Sequence, residues 1–199
     1  MIWVPRMANK IILVTGTPGA GKTSVITQSK KITGVKYEDV IVGTLMERIA
    51  KEKGWAKDRD ELRYLSNDRI AELREATFSA IAGMEGNIVV DTHASIEQRG
   101  RYVPGLPAGD TMLLKGGLKA IVCVDSSTDD ILMRRAGDSN RKREVEDARL
   151  IDMQRIINLS SLTYYALKLN IPLYVIENKQ DMLETTVKRF AEVLSEVFK

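Results

Sequence analysis

Apolar residues recur along this chain with two different spacings, and each spacing predicts a kind of secondary structure. Five short apolar runs bounded by polar residues or glycine predict buried β-strands, at 11–14, 37–43, 88–91, 118–125 and 171–176. Segments with apolar residues three or four positions apart predict helices, at 24–31, 44–53, 58–84, 128–136, 145–169 and 181–198. Because strands and helices alternate, the pattern predicts an α/β domain with a parallel sheet covered by helices on both faces.

One segment carries more helix than this alternation needs. Between the second and third predicted strands, the pattern at 58–84 extends beyond what a single crossover requires, in one or two pieces. Ser66 or Asn67 would cap the second piece, because short polar side chains accept hydrogen bonds from free N–H groups at a helix start. We therefore expect a helical arm inserted at about 44–85 of a single domain that spans 1–199.

Composition narrows the class of protein. The 199 residues, 44% of them hydrophobic, suit one compact domain, and the net charge of +3 is too small to predict a nucleic-acid surface. The single cysteine, Cys123, excludes an intramolecular disulfide, and its apolar neighbours predict a buried core residue.

No apolar stretch approaches the roughly 20 residues that cross a bilayer, and residues 1–6 are too short for a signal peptide. We therefore expect a cytoplasmic protein without a membrane partner.

The strongest chemical signal is the motif Gly-x-x-x-x-Gly-Lys-Thr, which lies between the first predicted strand and the first predicted helix. In this context backbone N–H groups of the glycine-rich turn and the start of the helix surround phosphate oxygens. Lys22 would reach the β- and γ-phosphates, and the Thr23 hydroxyl would ligand Mg²⁺. The motif predicts a nucleoside triphosphate site, formed by Gly16, Thr17, Pro18, Gly19, Ala20, Gly21, Lys22, Thr23 and Ser24.

Asp91 ends the third predicted strand. Ligands of open parallel sheets bind beyond the carboxyl ends of the strands, where a carboxylate can hold a metal directly or through water. We therefore predict that Asp91 helps to hold Mg²⁺, in preference to a role in capping the loop that follows.

A cluster of arginines surrounds the polar segment 137–145, which we expect to form a short lid between two helices. Its members are Arg134, Arg135, Arg141, Arg143 and Arg149. Most charged runs are solvated surface. Planar guanidinium groups suit phosphate oxygens, however, and phosphoryl transfer needs positive charge on the moving group. Beside a phosphate loop, we favour a hinged flap that brings arginines down and expels water.

A second basic group lies on the arm. Arg59 and Arg63 are four residues apart and share one helical face, so they could hold a second phosphate-bearing substrate, or simply pair with Asp60 and Glu61 at the surface.

The only histidine, His93, lies near the start of a stretch rich in glycine and proline at 92–109, which predicts a loop. A phosphate acceptor is already ionised, so His93 is expected to position substrate and not to act as a base.

The tetrad Asn178-Lys179-Gln180-Asp181 offers a rival interpretation, because it has the spacing with which GTPases bind guanine. The strand before it is the last, however, and the segment that starts at Asp91 lacks the glycine that GTPases need to sense the γ-phosphate. A GTPase would also lack the helical arm and the arginine flap. We expect Asp181 to cap the last helix instead.

Taken in this order, the motifs resemble those of the archaeal-type adenylate kinases over essentially 10–199. The matching segments are 14–23, 43–46, 58–60, 90–93, 102–107, 140–143 and 178–179. Asp-Thr-His at 91–93 and Pro-Gly-Leu-Pro at 104–107 are the most distinctive. The resemblance implies a P-loop NTPase fold with a five-stranded parallel core, and reversible transfer of a phosphoryl group from MgATP to AMP. It also implies a homo-oligomer, since family members often form trimers.

The resemblance also implies residue roles. Residues 16–24 would hold the ATP phosphates, Arg135 would stack on the ATP adenine, and Arg134, Arg141 and Arg143 would close on the phosphates. The AMP side would comprise Thr44, Arg59, Arg63, Thr92 and His93. Common adenylate kinases carry arginine where this chain has Glu47, and a different run after the aspartate at Asp91. The AMP-phosphate arginines are therefore assigned first to Arg59 and Arg63, and second to Arg99 or Arg101.

Three alternatives remain open at this point. The first is a kinase for another acceptor, such as CMP, UMP or a small alcohol. The second is an adenylate-kinase-like ATPase that acts in ribosome assembly through a partner. The third is the GTPase switch suggested by 178–181.

Overall fold

A computed structural model describes residues 9–98, 100–137 and 147–199, with the backbone alone for Arg63. Its strands are Lys10–Thr15 (β1), Glu38–Ile41 (β2), Asn87–Asp91 (β3), Ser95–Gln98 (β4), Arg101–Pro104 (β5), Leu118–Asp125 (β6) and Leu173–Glu177 (β7). Its α-helices are Lys22–Ile32 (α1), Val42–Glu52 (α2), Asn67–Ala82 (α3), Ala108–Leu113 (α4), Thr128–Ala136 (α5), Ala148–Leu169 (α6) and Leu183–Val197 (α7), with a 3₁₀ helix at Glu61–Tyr64.

The central sheet has five parallel strands in the order β2-β3-β1-β6-β7. Side chains of β1 alternate between its two faces, and both faces are buried. Leu13 belongs to a core that includes Phe78 of α3, whereas Val14 belongs to a second core that includes Phe190 of α7. The predicted five-stranded parallel sheet with helices on both faces is confirmed.

The start of the arm differs from the prediction. α2 begins at Val42 directly after β2, where the sequence predicted strand as far as residue 43. Val42 is buried in the core, so packing outweighs the strand preference of a β-branched residue.

The predicted helix at 58–84 is interrupted. The Asp58 carboxyl accepts hydrogen bonds from the backbone N–H groups of Asp60 (2.9 Å) and Glu61 (3.0 Å), and this local turn competes with helix formation. Only the 3₁₀ helix follows before α3 begins at 67. The Ser66 hydroxyl caps α3 by accepting from the Arg69 N–H, as one of the two predicted caps.

The expectation of an irregular loop at 92–109 is wrong. β4 and β5 form an antiparallel hairpin in which Ile96 pairs with Val103 and Gln98 with Arg101. Both strands have four residues and carry many polar side chains, so the apolar alternation that signals a strand is short and weak. The hairpin forms one wall of the cleft described below.

The last helix is capped differently from the prediction. The residue before α7 is Met182, which makes no side-chain cap. Asp181 adopts a left-handed backbone conformation (φ 60°) and accepts a hydrogen bond from the Gln180 amide at 3.0 Å. The expected capping role of Asp181 is therefore wrong.

Cys123 behaves as a core residue, as predicted. It lies in β6 with 4% of its surface exposed, and burial raises the pKa of its thiol to about 12. Within the described ranges, no helix has both the length and the apolar character needed to cross a membrane.

Candidate active site

A cleft of about 1060 Å³ opens at the carboxyl ends of the parallel strands. The phosphate loop (residues 16–23), Arg134 and Arg135 line one side, and the arm and the β4–β5 hairpin line the other. A pocket for one drug-sized ligand measures roughly 300–1,000 Å³. The cleft lies just above this range, so it has room beyond a single small ligand.

The phosphate loop adopts the backbone shape that its glycines predict. Gly19 and Gly21 both have φ of 93°, a left-handed conformation that other residues adopt only with strain. A Cβ atom on Gly21 would also lie 2.3 Å from Nδ2 of Asn178. The loop leads directly into α1 at Lys22, so the free N–H groups of this helix start face the cleft.

Lys22, Thr23 and Asp91 meet at the floor of the cleft. Lys22 Nζ lies 3.8 Å from Asp91 Oδ1 and 3.4 Å from the Gly16 carbonyl oxygen. The Thr23 hydroxyl donates to Asp91 Oδ2 at 3.4 Å. β1 and β3 are neighbours in the sheet, which is why residues 68 positions apart along the chain come together here.

Burial dominates the electrostatics of this floor. It lowers the pKa of Lys22, and the attraction of Asp91 opposes this shift. It raises the pKa of Asp91, against the attraction of Lys22 and Arg59 and the hydrogen bond from Thr23. Each charged group is thus incompletely compensated, so negatively charged phosphates would stabilise the protonated lysine, and a cation would stabilise the carboxylate.

Arg134 and Arg135 lie against the phosphate loop. Arg134 donates to the Asn178 carbonyl (2.8 Å), to the Ser126 hydroxyl (3.0 Å) and to the Ala20 carbonyl (3.4 Å). Arg135 donates to the Pro18 carbonyl. The two guanidinium groups thus bind carbonyl oxygens of the phosphate loop and stabilise its shape. A contact between Arg134 and a phosphate would have to replace some of these hydrogen bonds.

Asn178 supports the same loop and is not placed to bind a base. Its side chain is 3% exposed, donates to the Ala20 carbonyl at 2.8 Å and accepts from the Thr186 hydroxyl at 3.1 Å. Both ends of the amide are therefore occupied by protein groups. This arrangement explains an asparagine after β7 without guanine binding.

On the opposite side, Arg59 comes from the arm to the edge of the phosphate site. A Cβ atom built on Gly43, in the first turn of α2, would lie 2.4 Å from Arg59 Nη2, so the guanidinium rests directly on this glycine. Its charge also acts on Asp91. The pairing of Arg59 with a phosphate stays a prediction; Arg59 and the neighbouring Thr44 line the same cleft.

The hairpin itself was not predicted, although Arg101, the second-choice arginine for the AMP phosphate, does line the cleft. Ile96, Gln98, Arg101 and Val103 occupy paired positions on one face and line the cleft. The Arg101 guanidinium lies 3.4 Å from the Gln98 amide oxygen. The spacing of two residues between Ile96 and Gln98, and between Arg101 and Val103, places each pair on one face of its strand and is the weak signal that could have identified this face.

α3 also contributes cleft residues that were not predicted, among them Phe78 and Arg74. Phe78 lies at the base of this side and is 1% exposed, and Arg74 donates to the Pro104 carbonyl at 3.1 Å. A buried aromatic ring on an amphipathic helix is indistinguishable from ordinary core in a sequence. Its position against the cleft follows from the way the arm folds back over the sheet.

The remaining predicted residues fall into three groups. Thr92 and His93 line the cleft, with Thr92 5% exposed and Gly105 packed closely on the His93 carbonyl. Arg149 does not line the cleft; it lies at the start of α6, beside Asp147. Outside the described residues lie Arg99, Arg141 and Arg143, most of the predicted lid at 137–145, and the side chain of Arg63.

Comparison with known proteins supports the resemblance found in the sequence. The chain is 35% identical to an adenylate kinase of Methanoculleus marisnigri and 36% identical to one of Methanocaldococcus jannaschii, each match covering 94% of this chain and 100% of the relative. An adenylate kinase of Methanopyrus kandleri is 35% identical, with 92% of this chain and 97% of the relative covered. A family model described as an AAA domain matches residues 15–152.

Solved structures agree on the fold. A shikimate kinase from Acinetobacter baumannii superposes with a TM-score of 0.57 at 17% identity, covering 96% of each chain. A shikimate kinase from Bacteroides thetaiotaomicron gives a TM-score of 0.55 at 18% identity, covering 94% of this chain and 98% of that one. The predicted P-loop NTPase fold is thereby confirmed. On full-length sequence identity, the chain belongs to the adenylate kinase family of phosphoryl-transfer enzymes.

Proposed function

We propose that this protein catalyses the reversible transfer of a phosphoryl group from ATP to AMP, giving two ADP. One observation carries the proposal: the phosphate loop and Arg59 of the arm line one continuous cleft, and the charges of both Lys22 and Arg59 act on Asp91. The names of the relatives support the choice of AMP as the acceptor.

The donor half would bind the triphosphate through backbone N–H groups of the phosphate loop. Lys22 would follow the transferred group, because its ammonium lies at the inner end of the loop beside Asp91. Transition states for phosphoryl transfer spread negative charge over the moving oxygens, so a cation held in a buried setting lowers the barrier. No covalent intermediate is needed.

The acceptor half would bind AMP with its phosphate against Arg59. This guanidinium rests on Gly43 and its charge acts on Asp91, so a phosphate held there would lie on the side of the cleft that carries the Lys22–Asp91 pair. The apolar side chains Ile96, Val103 and Phe78 would surround the nucleoside, with Thr44 at the edge. The closing of a lid over both nucleotides would exclude water, which is a competing acceptor.

Mg²⁺ fits the residues present. The Thr23 hydroxyl and the Asp91 carboxylate place two oxygen ligands 3.4 Å apart, and Mg²⁺ prefers oxygen. The described part of the chain has no group of three or more histidine, cysteine, aspartate or glutamate side chains that could form a metal cage. This suits an ion held by one carboxylate and substrate phosphates. The bound ion would neutralise phosphate charge and orient the donor.

A panel of acceptors with MgATP tests the proposal directly. Initial rates of ADP formation would be compared for AMP, CMP, UMP and a small alcohol, together with a reaction lacking any acceptor. We expect kcat/KM for AMP to exceed that of every other acceptor by about tenfold or more, since discrimination arises from differential transition-state binding. A clear preference for CMP or UMP, or hydrolysis of ATP that no acceptor stimulates, would contradict it.

The proposal includes a homo-oligomer in the cytoplasm. α6 exposes the apolar side chains Met153 (47%), Ile156 (59%), Tyr164 (52%) and Leu167 (78%) along its outer side. An exposed apolar patch of this kind commonly marks a protein interface. Light scattering of the wild type and of Ile156→Glu should show an oligomer and its dissociation; a monomeric wild type would contradict this part alone.

A further inference from the structure

One face of α6 contacts the β4–β5 hairpin, which lines the acceptor half of the cleft. Leu150, Gln154 and Asn158 are spaced four residues apart and therefore share this face. The Leu150 carbonyl accepts from the Tyr102 hydroxyl at 2.8 Å, and the Gln154 amide donates to the Ser95 carbonyl at 3.2 Å. The hairpin is thus fixed to α6 through its back, while its front lines the cleft.

Asn158 differs from its two neighbours because it also contacts the phosphate loop. Its Nδ2 donates to Thr17 Oγ1 at 3.2 Å, and its Oδ1 accepts from the Ser95 hydroxyl at 2.6 Å. The exposed fractions are 2% for Asn158, 2% for Thr17 and 4% for Ser95. Bulk water cannot replace hydrogen bonds at this depth, so one amide group sets the separation between a donor-side loop and an acceptor-side strand.

We infer that Asn158 is a positioning residue for phosphoryl transfer, which holds the donor loop and the acceptor hairpin in register through Thr17 and Ser95. The inference rests on the proposed two-nucleotide function. Thr17 lies inside the phosphate loop, and Ser95 begins the strand that carries Ile96 and Gln98 into the cleft. Asn158 itself does not line the cleft.

This role predicts a particular kinetic signature. Misplacement of the reacting groups by about 1 Å can cost roughly 100-fold in rate, although each substrate still finds its own subsite. Loss of the bridge should therefore lower kcat much more than it raises either KM. A merely structural side chain would instead lower the melting temperature and leave the turnover of the folded enzyme unchanged.

The test compares Asn158→Ala with Thr17→Val and Ser95→Ala, which each remove one end of the bridge. For Asn158→Ala we expect kcat to fall about tenfold or more, with both KM values within about threefold of wild type. Ser29→Ala is the matched control for Ser95→Ala, because both variants delete a buried serine hydroxyl. The Ser29 hydroxyl donates to the Ile26 carbonyl, away from the cleft. The control variant should lower the melting temperature and leave kcat unchanged.

A double variant separates a bridge from two independent contacts. If Asn158 acts through Thr17, the variant Thr17→Val/Asn158→Ala should lose no more kcat than the Asn158→Ala variant alone. Full additivity, or a kcat for Asn158→Ala within about twofold of wild type, would overturn the inference. Should Asn158→Ala not fold, the nearly isosteric Thr17→Val decides, and an unchanged kcat there would overturn it.

Failure of the proposed function would look different. It would show in the wild type as poor transfer to AMP, and the same variants would then be compared with the acceptor that the wild type prefers. Good transfer to AMP by the wild type together with an unaffected Asn158→Ala would overturn the inference alone.

Discussion

The two halves of the cleft are built in different ways. On the donor side, a short loop presents backbone N–H groups, and buried Lys22 and Asn178 hold it in shape together with Arg134. On the acceptor side, Arg59, Gln98 and other long, water-exposed side chains project from an arm and a hairpin that lie far apart along the chain. The donor site is therefore fixed by backbone geometry, whereas the acceptor site depends on side chains that water also reaches.

This difference predicts that the largest single loss comes from the donor side. Lys22→Ala should lower kcat by about 10³-fold, or about 4 kcal/mol, because it removes a buried cation that stabilises the transition state. KM for ATP should change much less, since the backbone cradle remains. Steady-state kinetics would measure both values, with the exposed Lys31→Ala on the same helix as control. An unchanged kcat for Lys22→Ala would contradict the assigned role.

On the acceptor side, Arg59→Ala should act on the second substrate alone. Loss of a charged hydrogen-bond donor to a phosphate is worth about 2 kcal/mol, so KM for AMP should rise roughly 30-fold while KM for ATP stays near wild type. Arg48→Ala removes an exposed arginine of α2 and serves as control. Equal increases in both KM values would place Arg59 in a shared structural role.

A matched pair of glycine substitutions sharpens the comparison further. Gly21→Ala would put a Cβ atom 2.3 Å from Asn178 Nδ2 at φ of 93°, and Gly43→Ala would put one 2.4 Å from Arg59 Nη2. The first strains the backbone against the buried Asn178 side chain and should destabilise the protein by about 1–3 kcal/mol. The second displaces an exposed side chain, so it should raise KM for AMP by about tenfold with little change in melting temperature. Thermal unfolding together with acceptor kinetics would distinguish them, and the reverse pattern would contradict the comparison.

The smallest expected effect is a shift in pH dependence. Burial raises the pKa of the Asp91 carboxyl, so the group takes up a proton at a higher pH than an ordinary aspartate, and activity should fall as the pH drops through that value. Mg²⁺ competes with this proton, so more Mg²⁺ should move the acid limb of kcat/KM to lower pH. A limb that does not respond to Mg²⁺ would exclude Asp91 as the titrating metal ligand.

The same division separates what the sequence could predict from what it could not. The phosphate loop, the buried strands and Asp91 are specified by contiguous residues, so local pattern is sufficient. The hairpin escaped prediction because its strands have four residues each, and the helix expected after 58 was interrupted because the Asp58 carboxyl bonds to nearby N–H groups. The role of Asn158 could not be predicted, because it depends on contacts with Thr17 and Ser95, which lie 141 and 63 positions away along the chain.

Binding of Ap5A, in which two adenosines are joined by five phosphates, tests the central claim most directly. Calorimetry should show one Ap5A per chain, bound about 100-fold or more tightly than ATP, because one molecule fills both halves of the cleft. Arg59→Ala should weaken Ap5A and leave ATP binding unchanged. Binding of Ap5A no tighter than ATP, or of two molecules per chain, would contradict a cleft that holds two nucleotides for direct transfer.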